Sequence, residues 1–331
     1  MKAALKDPRR RRVLTFAAVA AAVAILPVFV RSEYYLYLLV MVGIYTMVAV
    51  GLNLLMGYAG QVSLGHAAFV AIGAYTSAIL TVRVGVSPWL ALIAAALITA
   101  LVAAAVGMPA LRLRGHYLAM ATLGFGMIVH RIALQWDGLT ASDRGISGIP
   151  PLSIEGVTLV SSTNDLGTYY VVWLVALLAV LGCSNIVDSR VGRAMRAVHG
   201  SEVAAETAGV NTARYKLQVF VLSAVLAGLA GSLYAHYMTY INPDPFDFAH
   251  SIALVVMVVI GGMASTWGAV VGAGSVQFIE VLLDARHLHE QKPVAYGLIL
   301  MLIMIFLPQG LARGGIDIAA RLRRRRQARD R

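Results

Sequence analysis

Apolar runs long enough to cross a bilayer recur down this chain, and no other feature constrains the fold so tightly. A spanning helix needs roughly 20 apolar residues, because the hydrocarbon core is about 30 Å thick and a helix rises about 1.5 Å per residue. Runs near that length fall at 13–30, 35–53, 58–81, 88–110, 117–136, 168–187, 217–240, 251–266, 267–285 and 293–309. The polar breaks between them are short. Of 331 residues, 59% are hydrophobic and only 13% charged, where a soluble domain carries roughly 25%. The expected fold class is an all-α polytopic membrane protein. It should have about ten transmembrane helices, some of them broken, in one transmembrane domain over residues 1–331.

Charge sets the expected orientation. The formal net charge is +11, but the basic residues gather at the termini and in short loops, which argues for a lipid surface and against nucleic acid. With the N-terminus inside, the cytoplasmic segments hold 21 of the 27 Lys and Arg, as the positive-inside rule requires. They are the N-terminus 1–12, the Arg112–Arg114 turn, the central loop 188–216 and the tail 310–331. The expected topology therefore has both termini cytoplasmic. Tyr34, Tyr35, Trp89, Trp136, Tyr169, Tyr170, Trp173 and Tyr240 fall near the outer ends, as an interfacial aromatic belt should. The start, 1–30, resembles a secretory signal but is followed by I-L-P-V-F-V-R-S-E with no small-x-small cleavage site. It reads as a retained first helix.

The longest polar interruption with helical character is 189–217, S-R-V-G-R-A-M-R-A-V-H-G-S-E-V-A-A-E-T-A-G-V-N-T-A-R-Y-K-L. Inside it, Ser201 is placed to cap a short helix, Glu202 suits the helix dipole, and Gly209 can close the C-terminus in a left-handed conformation. A helix over 202–208 would be roughly 10 Å long, too short to span or to stand alone. It must lie against something, either its own protein or a partner.

Here a resemblance enters. The run E-V-A-A-E-T-A-G, from Glu202 to Gly209, resembles the EAA loop of bacterial ABC-importer permeases, and with its flanks it looks like the LivM/LivH branch. That resemblance implies that the helix docks into a groove of an ATPase subunit. It makes Arg196, Ser201, Glu202, Ala204, Ala205, Glu206 and Gly209 the expected ATPase-coupling residues. Two other stretches share the likeness. G-Y-A-G-Q-V-S-L-G-H-A-A-F resembles the family signature beside the translocation path, and L-R-L-R-G-H-Y-L-A-M-A-T-L-G-F matches a stretch common after the fourth span. By resemblance Asn53, Gly57, Gly60, Gln61, Ser63, Gly65, His66, Thr122 and Gly124 become candidate path residues. On physical grounds the polar and glycine-rich breaks at 54–66 and 261–274 either line a water-filled route or serve close helix packing. His66 alone reads as a hydrogen-bonded packing residue rather than a metal or proton site. Many relatives carry an acid just after the Gly-Phe pair; this chain has Met127.

Residues 137–167 form the longest outer loop, where Pro150-Pro151 and five glycines argue against a long regular element. The resemblance makes Gly145, Ser147, Gly148 and Pro150 candidates for contact with a soluble binding protein. Beyond the central loop, Ala224, Ala227, Gly228, Gly231 and Ala235 fall on one helix face, an interface stripe for another membrane helix.

The chain carries no G-x-x-x-x-G-K-S/T, no H-E-x-x-H and no G-x-S-x-G, and its single Cys183 excludes an internal disulfide. No cofactor, metal site or catalytic residue is expected. Two readings remain. The first is a permease subunit of an ABC importer, driven by two ATPase subunits. The family resemblance adds a second, LivH-like permease and a periplasmic binding protein, in the bacterial inner membrane. The second is a stand-alone secondary transporter or channel for a small neutral solute, which leaves the E-x-A-A-E stretch unexplained. Branched-chain amino acids lead as substrate by resemblance; urea, short amides and aromatic or alicyclic carboxylates are carried by similar systems.

Overall fold

The computed structural model describes residues 8–29, 32–154, 157–161, 165–284, 291–306 and 310–311. Helix α1 (Pro8–Phe29) starts before its apolar run, at a proline that has no N–H to leave unsatisfied. Helix α2 (Glu33–Asn53) continues into one wide π turn, Leu54–Tyr58. The chain then runs without helix from 59 to 65 and resumes as α3 (His66–Val82). Helices α4 (Pro88–Ala110) and α5 (His116–Gln135) follow, and then the single turn α6 (Asp137–Thr140). Strands β1 (Ile146–Ser147), β2 (Leu152–Ile154) and β3 (Val157–Val160) lead to α7 (Asp165–Asp188). Two short helices come next, α8 (Arg190–Gly200) and α9 (Glu202–Thr207), and after them the long α10 (Thr212–Met238). Strand β4 (Tyr240–Ile241) precedes α11 (Phe248–Gly261), α12 (Thr266–Asp284) and α13 (Lys292–Phe306).

This is an all-α polytopic membrane fold. Among the described residues, six helical segments can cross a bilayer by length and composition: Glu33–Tyr58, α4, α5, α7, α10 and Thr266–Leu283. Leu14–Pro27, α3 and α11 are shorter apolar helices. The third expected run, 58–81, begins eight residues late because the π turn and the non-helical 59–65 stretch take up its start. The break expected over 261–274 is confined to 262–265. Helix α10 begins five residues before its apolar run and draws Lys216, expected in the central loop, into a helix. The tail 312–331 and residues 1–7 lie outside the described residues.

Helix α10 is the hub, packed against α2, α3 and α4. Its Ala and Gly stripe is the interface the sequence predicts. A Cβ at Gly231 would lie 2.0 Å from the Val70 carbonyl oxygen, and one at Gly228 2.4 Å from Thr99 Oγ1. Across the seam, a Cβ at Gly73 would lie 2.1 Å from the Gly228 carbonyl oxygen. The two backbones are in direct contact. Helices α11 and α12 meet the same way, with a Cβ at Gly272 only 1.8 Å from the Met257 carbonyl oxygen. Without water to drive apolar faces together inside a bilayer, such close backbone approach supplies the packing attraction. Met47, Val48, Phe69, Phe220, Leu254 and Met257 fill the core between these helices.

At the end of the bundle where α10 finishes, the long loop folds back on the chain. Strand β1 pairs antiparallel with β4, Ile146 opposite Ile241, and β2 pairs with β3. The aromatic belt needs one correction. Tyr34, Tyr35 and Trp136 are exposed, but Tyr169 and Trp173 are buried. Tyr169 donates to the Val23 carbonyl at 2.6 Å and Trp173 Nε1 to the Leu39 carbonyl at 2.9 Å. They join α7 to α1 and α2, because an aromatic with a polar tip is stable inside when that tip is satisfied.

Candidate functional site

The segment between α7 and α10 builds its helices from local signals. Ser189 Oγ accepts from Val191 N–H and caps α8, and Ser201 Oγ accepts from Ala204 N–H at 3.3 Å and caps α9. Gly209 closes α9 at φ +83°. Its N–H donates to the Glu206 carbonyl and the Val210 N–H to the Ala205 carbonyl, both at 2.9 Å. This paired closure satisfies carbonyls that a helix end leaves free. Helix α9 is one residue shorter than expected and otherwise as its sequence predicts.

The two faces of α9 differ. Val203, Ala204, Glu206, Thr207 and Ala208 are exposed, while Ala205 is buried against the rest of the chain. Glu202 also turns inward: its carboxylate pairs with Lys216 Nζ on α10 and lies 3.1 Å from Arg114 Nε, just before α5. Glu206 accepts a 2.6 Å hydrogen bond from Thr212 Oγ1. Arg196 is anchored on α8 by donating to the Val187 carbonyl at 3.0 Å. Of the seven expected coupling residues, Ala204 and Glu206 stand on the free face, and Glu202 and Ala205 face the protein.

Two crevices flank Glu202. One, of about 370 Å³, is lined by Gly60, Gln61, Arg114, Gly115, His199 and Glu202. The other, of about 490 Å³, is lined by Arg112, Arg114, Glu202, Glu206, Arg214 and Lys216. The 59–65 stretch thus reaches the same end of the bundle as α9, and Gly60 (φ +68°) rests against the His199 ring.

Above it lies a buried polar layer. His66, fully buried at the start of α3, is 3.0 Å from Ser63 Oγ through Nδ1 and 2.6 Å from Ser223 Oγ through Nε2. Leu64 N–H donates to Thr122 Oγ1 at 3.0 Å, and Ala67 N–H to Ser251 Oγ at 3.3 Å. The backbone freed by the helix break is therefore satisfied by side chains of α5 and α11, as buried backbone requires. Asn53 does the same for the other break: its amide donates to the Ser265 carbonyl and accepts from the Ala264 N–H. Gly57 and Gly65 are there for close approach, since a Cβ would lie 2.3 Å from Ala264 N and 1.9 Å from the Thr122 carbonyl oxygen respectively.

The nine candidate path residues thus divide. Asn53 and Gly57 pack on the 264–265 turn, Ser63, Gly65, His66 and Thr122 belong to the buried polar layer, and Gly60 and Gln61 line the crevice beneath it. Gly124 stands apart on a face of α5 with nothing within 4 Å of a Cβ. That face also carries exposed Met120, Met127 and Ile128. The bonding roles of Ser223, Ser251 and Ser265 are not legible in the sequence, although Ser265 falls in the polar break expected over 261–274. Each lies over 150 positions from its partner, and a serine by itself gives no signal of what it binds.

In the long loop, Ser147 and Gly148 are exposed, while Ile146 and Ile149 are buried. Gly145 sits against Ile241 at φ +66°, and His236 Nδ1 is 2.7 Å from the Pro150 carbonyl oxygen. Among the described residues, no group of three or more His, Cys, Asp or Glu could hold a metal ion.

Residues 34–308 match the family profile described as "Branched-chain amino acid transport system / permease component". The chain belongs to that family. The chain is 34% identical over 261 residues to the high-affinity branched-chain amino acid transport system permease protein LivM of Salmonella typhimurium, covering 73% of its own length. It is 33% identical to LivM of Escherichia coli over the same share. LivH of Escherichia coli is 32% identical over 142 residues, 43% of this chain and 46% of LivH. The match spans 61% of the length of the two LivM proteins. No solved structure matches.

Proposed function

We propose that this chain is the membrane-spanning permease subunit of an ATP-driven ABC importer. It moves branched-chain amino acids, or a related small amphipathic solute, from periplasm to cytoplasm by alternating access. The observation that carries the reading is α9: a short helix, capped at both ends, with a small-residue face left free beside the crevices, in a chain of the permease family. Val203, Ala204, Thr207 and Ala208 form a surface small enough to seat in a groove of an ATPase. Two ATPases closing on ATP would move α9, and differential affinity of the partners for the two states of the bundle makes that motion productive.

In this reading ten helices cross the inner membrane (α1–α5, α7 and α10–α13), with both termini cytoplasmic. The central segment 188–216 faces the ATPases, and the loop 137–167 faces a periplasmic binding protein at Ser147 and Gly148. A second, LivH-like permease completes the membrane part. ATP hydrolysis belongs to the partner subunits. The layer of Ser63, His66, Thr122, Ser223 and Ser251 lies on the closed route between the two sides.

The test is affinity purification of the tagged chain from native membranes in mild detergent, with mass spectrometry of what accompanies it. Two P-loop ATPases and a second permease are expected, together with ATP-dependent leucine uptake once the binding protein is added. A lone chain that transports in liposomes without ATP would overturn the reading.

A further inference from the structure

We propose that Glu202 works inside the chain, as the joint that ties the coupling helix to two membrane helices, and not as a contact to an ATPase. This rests on the permease reading above. Glu202 is the first residue of α9, yet its carboxylate points away from the free face. One oxygen pairs with Lys216 Nζ, and the other lies 3.1 Å from Arg114 Nε. The two cations differ in kind. Lys216 is 5% exposed and Arg114 63%. The Lys216 pair is shielded from water, whereas the Arg114 pair, in solvent, contributes mainly direction.

Each cation leads to the same place. Lys216 sits on α10 two turns before Ser223, whose hydroxyl is 2.6 Å from His66 Nε2. Arg114 precedes α5, and eight residues on Thr122 Oγ1 accepts from Leu64 N–H. Both lines end on 63–66, where the broken helix resumes. A displacement of α9 therefore acts through one carboxylate on two segments that both hold the end of that break where α3 begins. Glu206 differs: it is exposed, and among the described residues its carboxylate is bonded to Thr212 at the base of α10.

Contiguity of this kind is not itself coupling, so the experiment must measure coupling. The complex of permease pair, ATPases and binding protein is purified and reconstituted, with two readouts. These are the ratio of ATPase to permease that co-purifies, and the stimulation of ATP hydrolysis by the binding protein. For E202Q the ATPase ratio is expected to match wild type, while stimulation falls about tenfold, mid-range for coupling between sites. The reversed pair E202K/K216E is expected to recover most of the stimulation. Should E202Q not accumulate, E202M/K216M removes both charges while keeping apolar bulk, and carries the same expectation of docking without stimulation. Loss of the ATPases from either variant would make Glu202 a docking contact and overturn the proposal, as would unchanged stimulation. A wild-type chain that recruits no ATPase overturns the permease reading instead.

Discussion

The Asn53 side chain closes on the turn that contains Ser265. Its Nδ2 donates to the Ser265 carbonyl at 2.7 Å while its Oδ1 accepts from the Ala264 N–H at 2.9 Å. One residue thus joins the end of α2 to the helix break at 262–265, about 200 positions on in the chain. Asn53 is 1% exposed, so water cannot replace what it supplies.

Replacing Asn53 with Leu removes a hydrogen-bond partner from two half-buried groups, the Ser265 carbonyl and the Ala264 N–H. The expected cost is about 2–4 kcal/mol, since each orphaned buried group costs about 1–3 kcal/mol. Thermal unfolding of the purified chain in detergent reads it directly as a drop in midpoint. An unchanged midpoint would mean the clamp is dispensable.

Gly231→Ala and Gly124→Ala should move stability in opposite directions. A methyl at Gly231 meets the Val70 carbonyl oxygen, and overpacking of this kind costs about 1–3 kcal/mol. At Gly124 the space is open, so the better helix propensity of alanine contributes up to about 1 kcal/mol. The same unfolding measurement checks both.

Ser223→Ala removes the partner of His66 Nε2 and should cost about 1–3 kcal/mol. Zinc or a chelator should leave the unfolding midpoint of the wild-type chain where it was, because the His66 ring nitrogens are occupied by two serines. A zinc-dependent shift lost in His66→Gln would contradict the packing role.

Val203→Asp tests the free face of α9. Val203 is 61% exposed, so stability should change by less than about 0.5 kcal/mol. If that face docks on an ATPase, a buried unpaired carboxylate weakens the contact by at least about tenfold. Pull-down of the ATPase at matched permease levels measures it.

What the sequence made legible was local. The ends of α9 follow from Ser201 and Gly209, and the α10 interface from alanines and glycines spaced three and four apart. Both depend on neighbours within one turn or two. Lys216 was placed in a loop because hydropathy counts its charge without its partner; the Glu202 carboxylate, fourteen positions back, lets α10 absorb it. Tyr169 and Trp173 look interfacial by composition, and only the carbonyls of Val23 and Leu39 bring them inside. The π turn at 54–58 is set by what the Asn53 region holds across the bundle, which no window of sequence contains.

The glycine seams between α3 and α10, and between α11 and α12, act as welds. Where a carbonyl sits in a notch with no side chain to swing aside, neither helix can roll or slide by a fraction of a turn without collision. Each seam therefore travels as one piece. Among the described residues, helix α5 has only one such notch, Gly65 against the Thr122 carbonyl, and otherwise buries only Leu118 and Ala133. Its hold on the frame is therefore concentrated at the start of α3, where the other seams are spread along whole helix faces.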